Sequence, residues 1–184
     1  MSNLYEQVTG YRKRKYKRVV RNDHAYRQTD EYVITEIERQ LEMYRACLEE
    51  DQRARLIRDC IDHHVRRHHD YCISGKIGGH YRQFGVDEGN CVFEHILPTT
   101  YVVGMLIEGR LTVNQALNTP TCLITKEDDV ILRNNGLASS TPDNWHFFDR
   151  YAVLNTKFKT WNGIDITDPH NWTLETHFQF FNIK

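Results

Sequence analysis

The sequence predicts an α+β protein, mainly helical, with a small core of two strands and one helix. Three observations carry this. Apolar residues recur at three- and four-residue steps at Ile34, Ile37, Leu41, Tyr44 and Leu48, and a second set follows at Leu56, Ile57, Cys60, Ile61 and Val65. That spacing is the stripe of an amphipathic helix. Further on, the short apolar runs Cys91-Val92-Phe93 and Thr121-Cys122-Leu123-Ile124 have the length of strands. The second leads into Thr125-Lys126-Glu127-Asp128, where Thr125 and Asp128 fit a capping box opening a helix that carries Val130, Ile131 and Leu132. Last, 40% apolar and 27% charged residues in 184 fit one globular domain, or a domain with an appendage.

Charge is uneven along the chain. Residues 1–22 hold seven Lys and Arg against one Glu, residues 23–52 hold three against nine acids, and residues 53–82 hold seven against three. The net charge of -1 therefore hides a basic arm made of Arg12, Lys13, Arg14, Lys15, Lys17 and Arg18, interleaved with Tyr11 and Tyr16. Basic residues among tyrosines can neutralise phosphates and lie against bases or sugars. The same arm can also pair with the chain's own acidic segment.

Four segments follow from this: a basic arm at 1–22, a helical hairpin or one long helix at 23–73, a core at 74–136 with a helical insert, and an aromatic-rich segment at 137–184. Thr29 or Asp30 can cap the first helix. Packing within the chain explains both stripes, although their heptad-like spacing also permits a homodimer seam. Cys60, His64, His68 and Cys72 lie four apart, and a His64–His68 pair could hold zinc. All four cannot close a tetrahedron on a straight helix, whose ends would lie roughly 18 Å apart. They read better as joining Arg66 and Arg67 on a phosphate-facing surface.

Ser74 to His80 is a glycine-rich connector without P-loop spacing; Lys76, His80 and Arg82 near it can meet a substrate backbone. Thr100 to Glu108 reads as an inserted helix with a second one behind it, and Gly136 as the C-cap of the core helix. Ser139 to Asp143 reads as a turn. The block Trp145, His146, Phe147, Phe148 and Tyr151 reads as core, and Thr173 to Phe181 alternates weakly. Five cysteines without framework spacing point to a reducing cytoplasm, that of the host cell if the source is viral. No apolar run approaches the roughly 18 residues of a membrane helix, and the N-terminus is not a signal peptide.

The phrase Glu94-His95-Ile96-Leu97-Pro98 sets an acid before a histidine at a strand end. Followed by Asn118, a second strand and a helix with Asp129 in its first turn, it resembles the HNH, or ββα-metal, nucleases. Glu-His-Ile-Leu-Pro is similar to their Asp-His-x-x-Pro, and Leu123 to Asp129 is similar to the strand-to-helix step in HNH domains of RNA-guided CRISPR nucleases. The resemblance spans about residues 89–133. It implies a ββα-metal core, His95 as general base, Glu94 and Asp129 as ligands of Mg²⁺ or Mn²⁺, and Asn118 as the residue that holds the histidine's loop. The implied activity is hydrolysis of DNA, with RNA left open, in the style of a phage or mobile-element endonuclease. Glu94 stands where Asp is usual and Asp129 where Asn or His is usual, the insert is long, and the CxxC zinc knuckles of many members are absent. Those departures motivate a rival expectation: a non-catalytic nucleic-acid- or protein-binding protein on the same scaffold.

Overall fold

The computed structural model describes residues 23–47, 51–87 and 89–184. The basic arm, with Arg12, Lys13, Arg14, Lys15, Lys17 and Arg18, lies outside the described residues, as does Leu48. The class is α+β: helices pack around a five-stranded mixed sheet.

Helix α1 (Asp23–Arg45) starts before the expected cap and runs through Thr29 and Asp30. It buries Ile37, Gln40 and Leu41 against α2 (Gln52–His68), so the two form a hairpin rather than one bent helix. Asp51 caps α2, its carboxylate accepting from the Arg53 N–H at 2.8 Å. The buried stripe of α2 is Ala54, Ile57, Ile61, Val65 and His68. Leu56 and Cys60, expected on that stripe, face outward because the 54–57–61 spacing rotates it past them. The helix widens into a π-turn at His69–Ile73 and ends with α3 (Ser74–Ile77), where Gly78 takes φ +73°. The glycine-rich connector is thus half helix, and only Gly78 and Gly79 form the left-handed turn.

The sheet order is β2-β3-β1-β4-β5, for β1 (Tyr81–Gln83), β2 (Cys91–His95), β3 (Thr121–Thr125), β4 (Phe158–Thr160) and β5 (Asp165–Ile166). Only β1 with β3 is parallel. Between β2 and β3 run α4 (Thr99–Ile107) and α5 (Val113–Leu117), the two inserted helices expected there. After β3, Thr125 caps α6 (Lys126–Asn134), accepting from the Asp128 N–H at 3.2 Å. Gly136 closes α6 at φ +73°, and Leu137 N–H returns to Leu132 O at 2.9 Å, a Schellman end.

Strands β1, β4 and β5 have two or three residues each, too short to show a period of two. The weak alternation at 173–181 is in fact α7 (Leu174–Phe180), capped by Thr173. Its apolar residues Leu174 and Phe178 are four apart on one helical face, which suits the helix better than a strand. A single apolar cluster runs from Ile37 on α1, through Ile61, Ile124 and Phe147, to Phe178 on α7. No described helix is long and apolar enough to cross a membrane.

One buried polar chain locks α7 into place. His177 Nε2 lies 2.8 Å from the Asn118 carbonyl, which can only accept, so Nε2 carries the proton. Nδ1 therefore accepts from Tyr81 Oη at 2.8 Å, and Tyr81 Oη accepts from Trp172 Nε1 at 2.7 Å. Burial holds His177 neutral and pulls its pKa to about 3, with the Asn118 carbonyl opposing. His69 and His80 are likewise drawn well below the usual imidazole range, first by burial and then by neighbouring histidines.

A group whose folded pKa is depressed binds its proton more readily in the unfolded chain. These three histidines therefore contribute stability above about pH 6.5 that is lost as pH falls, continuing for His177 towards about 3. Urea unfolding midpoints should drop between pH 7.5 and 5.0, a window above most carboxylate titration. Equal midpoints at the two ends would contradict neutral burial of these rings.

Candidate active-site cleft

Strand β2 ends at His95, and the chain turns at Ile96 and Leu97 so that Pro98 can start α4. Neighbouring residues of a strand point to opposite faces, yet both Glu94 and His95 line one cleft of about 450 Å³ because the strand stops there. Asp129, in the first turn of α6, lines the same cleft. The antiparallel pairing of β2 with β3, Glu94 opposite Cys122 and Cys91 opposite Thr125, brings them together, since α6 starts directly where β3 ends. Arg66, Arg133 and Arg150 complete the charged lining.

Each carboxylate in the cleft has its own arginine. Glu94 pairs through Oε1 with the guanidinium of Arg150, and its Oε2 accepts from Tyr151 Oη at 3.0 Å. Arg150 is only 1% exposed and also donates to the carbonyls of Ser140 at 2.9 Å and Ala138 at 3.2 Å. Burial pushes the Glu94 carboxyl upward, Arg150 and Tyr151 draw it back down, and Asp129 adds a smaller upward push. A buried guanidinium never loses its proton, so an ionised Glu94 is the state that balances it. Asp129 meets Arg133 at 2.6 Å, a pair whose arginine is 63% exposed.

His95 is held below the usual imidazole range, chiefly by burial, while Asp70 pulls the other way. Its Nε2, buried from solvent, lies 3.9 Å from the Asp70 carboxylate and makes no hydrogen bond among the described residues. The ring rests on buried His69 with centroids 5.1 Å apart, and His69 comes from the π-turn. A neutral imidazole at the wall of a cleft is a candidate to take a proton, although Nε2 itself is buried from solvent here.

The remaining expected residues are dispersed. Asn118 turns its amide back onto the Asn114 carbonyl at 2.9 Å, and its own carbonyl serves His177, so it does not hold the loop of His95. This corrects the role implied for it: Asn118 is the C-cap of α5, where its side chain closes that short helix. Asp128 faces Gln83, which bonds its carboxylate and also accepts from Thr125 N–H at 3.0 Å, tying β1 to the start of α6. Arg66 reaches the cleft, Arg67 is exposed on α2, and Arg82 donates to the Ile77 carbonyl at 3.0 Å. Lys76 falls within α3. His68, His69 and Cys72 are buried rather than phosphate-facing, because they continue the inward stripe of α2.

Arg150, Tyr151, Arg133 and Thr99 are lining or supporting residues that sequence patterning passed over. A lone Arg inside Phe147-Phe148-Asp149-Arg150-Tyr151 was the available signal, since a charge within an apolar run needs a buried partner.

Among the described residues no group of three or more His, Cys, Asp and Glu assembles as a metal site. His68 is buried and His64 half-buried, and among the described residues no third ligand gathers with that pair. For Mg²⁺ or Mn²⁺ the demand is lower, because such ions are commonly held by one or two carboxylates plus water and substrate phosphate. Asp129 meets that demand, because its partner Arg133 is exposed and free to turn away. Glu94 contributes a second negative charge close by, although both its oxygens already accept a bond. The carboxylates thus fit a mostly water-ligated hard cation.

Comparison with family models, with curated proteins and with solved structures finds no match to the chain.

Removing one partner of a buried ion pair leaves the other charge stranded, a loss of about 3–5 kcal/mol. Arg150→Met should destabilise by that order, while Arg150→Met with Glu94→Leu should recover much of it. Chemical denaturation of the three proteins checks this. Equal losses in the single and double variants would show that the pair is not coupled.

Proposed function

We propose that the chain is a divalent-metal-dependent endonuclease that hydrolyses phosphodiester bonds of DNA, acting in the cleft of Glu94, His95 and Asp129. The observation that carries this reading is their convergence: three residues of a strand–strand–helix unit, 35 positions apart at the extremes, line one cleft with arginines. In the proposed reaction His95 takes a proton from the attacking water, for which a neutral ring is required. Asp129 and Glu94 would hold the metal, which when bound would supply charge neutralisation for the phosphate and the leaving oxygen. Arg150 and Tyr151 fix the direction of Glu94, and Arg66 and Arg133 face the polyanion.

A second reading has its own support. Because Glu94 is already neutralised by Arg150, the cleft could bind nucleic acid without cutting it. Pure protein incubated with supercoiled plasmid, with and without Mg²⁺ or Mn²⁺, separates the two. Metal-dependent nicking or linearisation supports the nuclease; binding without any cleavage supports the second reading.

If the first holds, His95→Ala should lose about 10²- to 10⁴-fold in cleavage rate while binding DNA nearly as well. Wild-type rates in that variant would remove His95 from the mechanism. Asp129→Ala should raise the metal concentration needed for half-maximal activity, whereas Asp129→Asn keeps much of the activity.

Deleting residues 1–18 should weaken DNA binding and flatten its salt dependence, since each phosphate contact contributes nearly one unit of log–log slope. Identical slopes measured between about 50 and 200 mM salt would mean that the arm does not touch DNA.

A further inference from the structure

The start of α4 opens into the cleft without a cap. Its N-cap residue is Pro98, which has no side-chain acceptor, and the first backbone donor bonded there is Tyr101, to Pro98 O at 2.9 Å. Among the described residues the N–H groups of Thr99 and Thr100 therefore have no partner. A nine-residue helix with free leading N–H groups attracts negative charge. A second observation points the same way: Thr99 lines the cleft, is 2% exposed, and its Oγ1 makes no hydrogen bond among the described residues. A buried hydroxyl left without a partner costs free energy, so its retention here marks a place for an acceptor.

The charges agree. Three arginines line the cleft against two carboxylates. Among the described residues Arg66 uses its Nε on Asp62 and Arg133 one Nη on Asp129, so each keeps further N–H donors.

We propose that the N-terminal turn of α4, with Thr99 Oγ1 and the guanidinium groups of Arg66 and Arg133, forms an oxyanion seat for a phosphate of the nucleic-acid backbone. It rests on the nuclease reading only for its choice of substrate; the seat itself needs no metal. Two threonine N–H groups, one hydroxyl and the arginines would take the non-bridging oxygens, with Arg133 bridging the seat to Asp129.

The full chain, ¹⁵N-labelled and kept in EDTA, can be titrated with inorganic phosphate, with a 5′-mononucleotide and with a dinucleoside monophosphate. Saturable shifts of the Thr99 and Thr100 amides are expected, with the diester competing against inorganic phosphate. Thr99→Val, which keeps the shape and removes the hydroxyl, should weaken phosphate binding about fivefold, as for one lost hydrogen bond. Thr99→Ser should restore it, and the exposed change Arg66→Gln should also weaken it. Unmoved Thr99 and Thr100 amides, or undiminished binding in both weakening variants, would overturn the seat. Binding of the monoesters with exclusion of the diester would overturn its assignment to a nucleic-acid backbone. Saturable diester binding in a protein that never cuts plasmid would uphold the seat and sink the nuclease; cutting without binding at these amides would sink the seat alone.

Discussion

The ion pair of Glu94 with Arg150 is the constraint on which the rest of the site depends. Taking a guanidinium out of water costs several kcal/mol unless a charge and hydrogen bonds replace the solvent. Arg150 receives both, from Glu94 and from the carbonyls of Ser140 and Ala138. Tyr151, next in sequence, closes the same carboxylate. Strand β2 is thereby fastened to the segment after α6, and the aromatic turn at Phe147–Tyr151 is drawn against the sheet. With Glu94 fixed towards Arg150, the strand ends at His95, whose ring rests on His69 of the π-turn while still lining the same cleft.

The helix leading to that turn therefore has two jobs. Its regular part packs Ile57, Ile61 and Val65 against α1 and α4. Its widened end, one of the π-turns that often sit at functional sites, delivers His69 and Asp70 to His95. Burial keeps both rings neutral, and the nearby carboxylate of Asp70 partly offsets that effect on His95. A second set of neutral rings, His80 and His177, holds α7 to β1 and to the turn before β3. Cleft and scaffold thus share a dependence on uncharged histidine, which links the stability of the fold to pH on its acid side.

Charge in the cleft is balanced rather than bare. A preformed site for a multivalent cation would expose several carboxylates without arginines beside them. Here three arginines line the cleft against two carboxylates, and unpartnered polar atoms among the described residues include Thr99 Oγ1 at the start of α4 and Arg150 Nε. In the proposed reading such a cleft takes an anion first, with a cation entering alongside it, as Mg²⁺ often does with phosphate.

How far the sequence reached can be traced in particular residues. Thr125 as a cap, Gly136 as a helix stop and the inserted helices after Pro98 were legible because each rests on local backbone chemistry within a few residues. So were the apolar stripes of α1 and α2, which a helical period records along a single stretch of chain, although the same period fits a hairpin or one long helix. The strands β1, β4 and β5 were not legible, because two or three residues cannot display a period. The convergence of Glu94, His95 and Asp129 was suggested by their order alone. Only the β2–β3 register brings them into one cleft, because distance between strands is set by pairing and not by spacing. That Glu94 would be neutralised by Arg150, and that Asn118 would serve α5 and His177 instead of His95, belongs wholly to the tertiary structure. Partners 56 and 59 residues apart are chosen by what the packed core leaves within reach, and nothing in the local sequence encodes that choice.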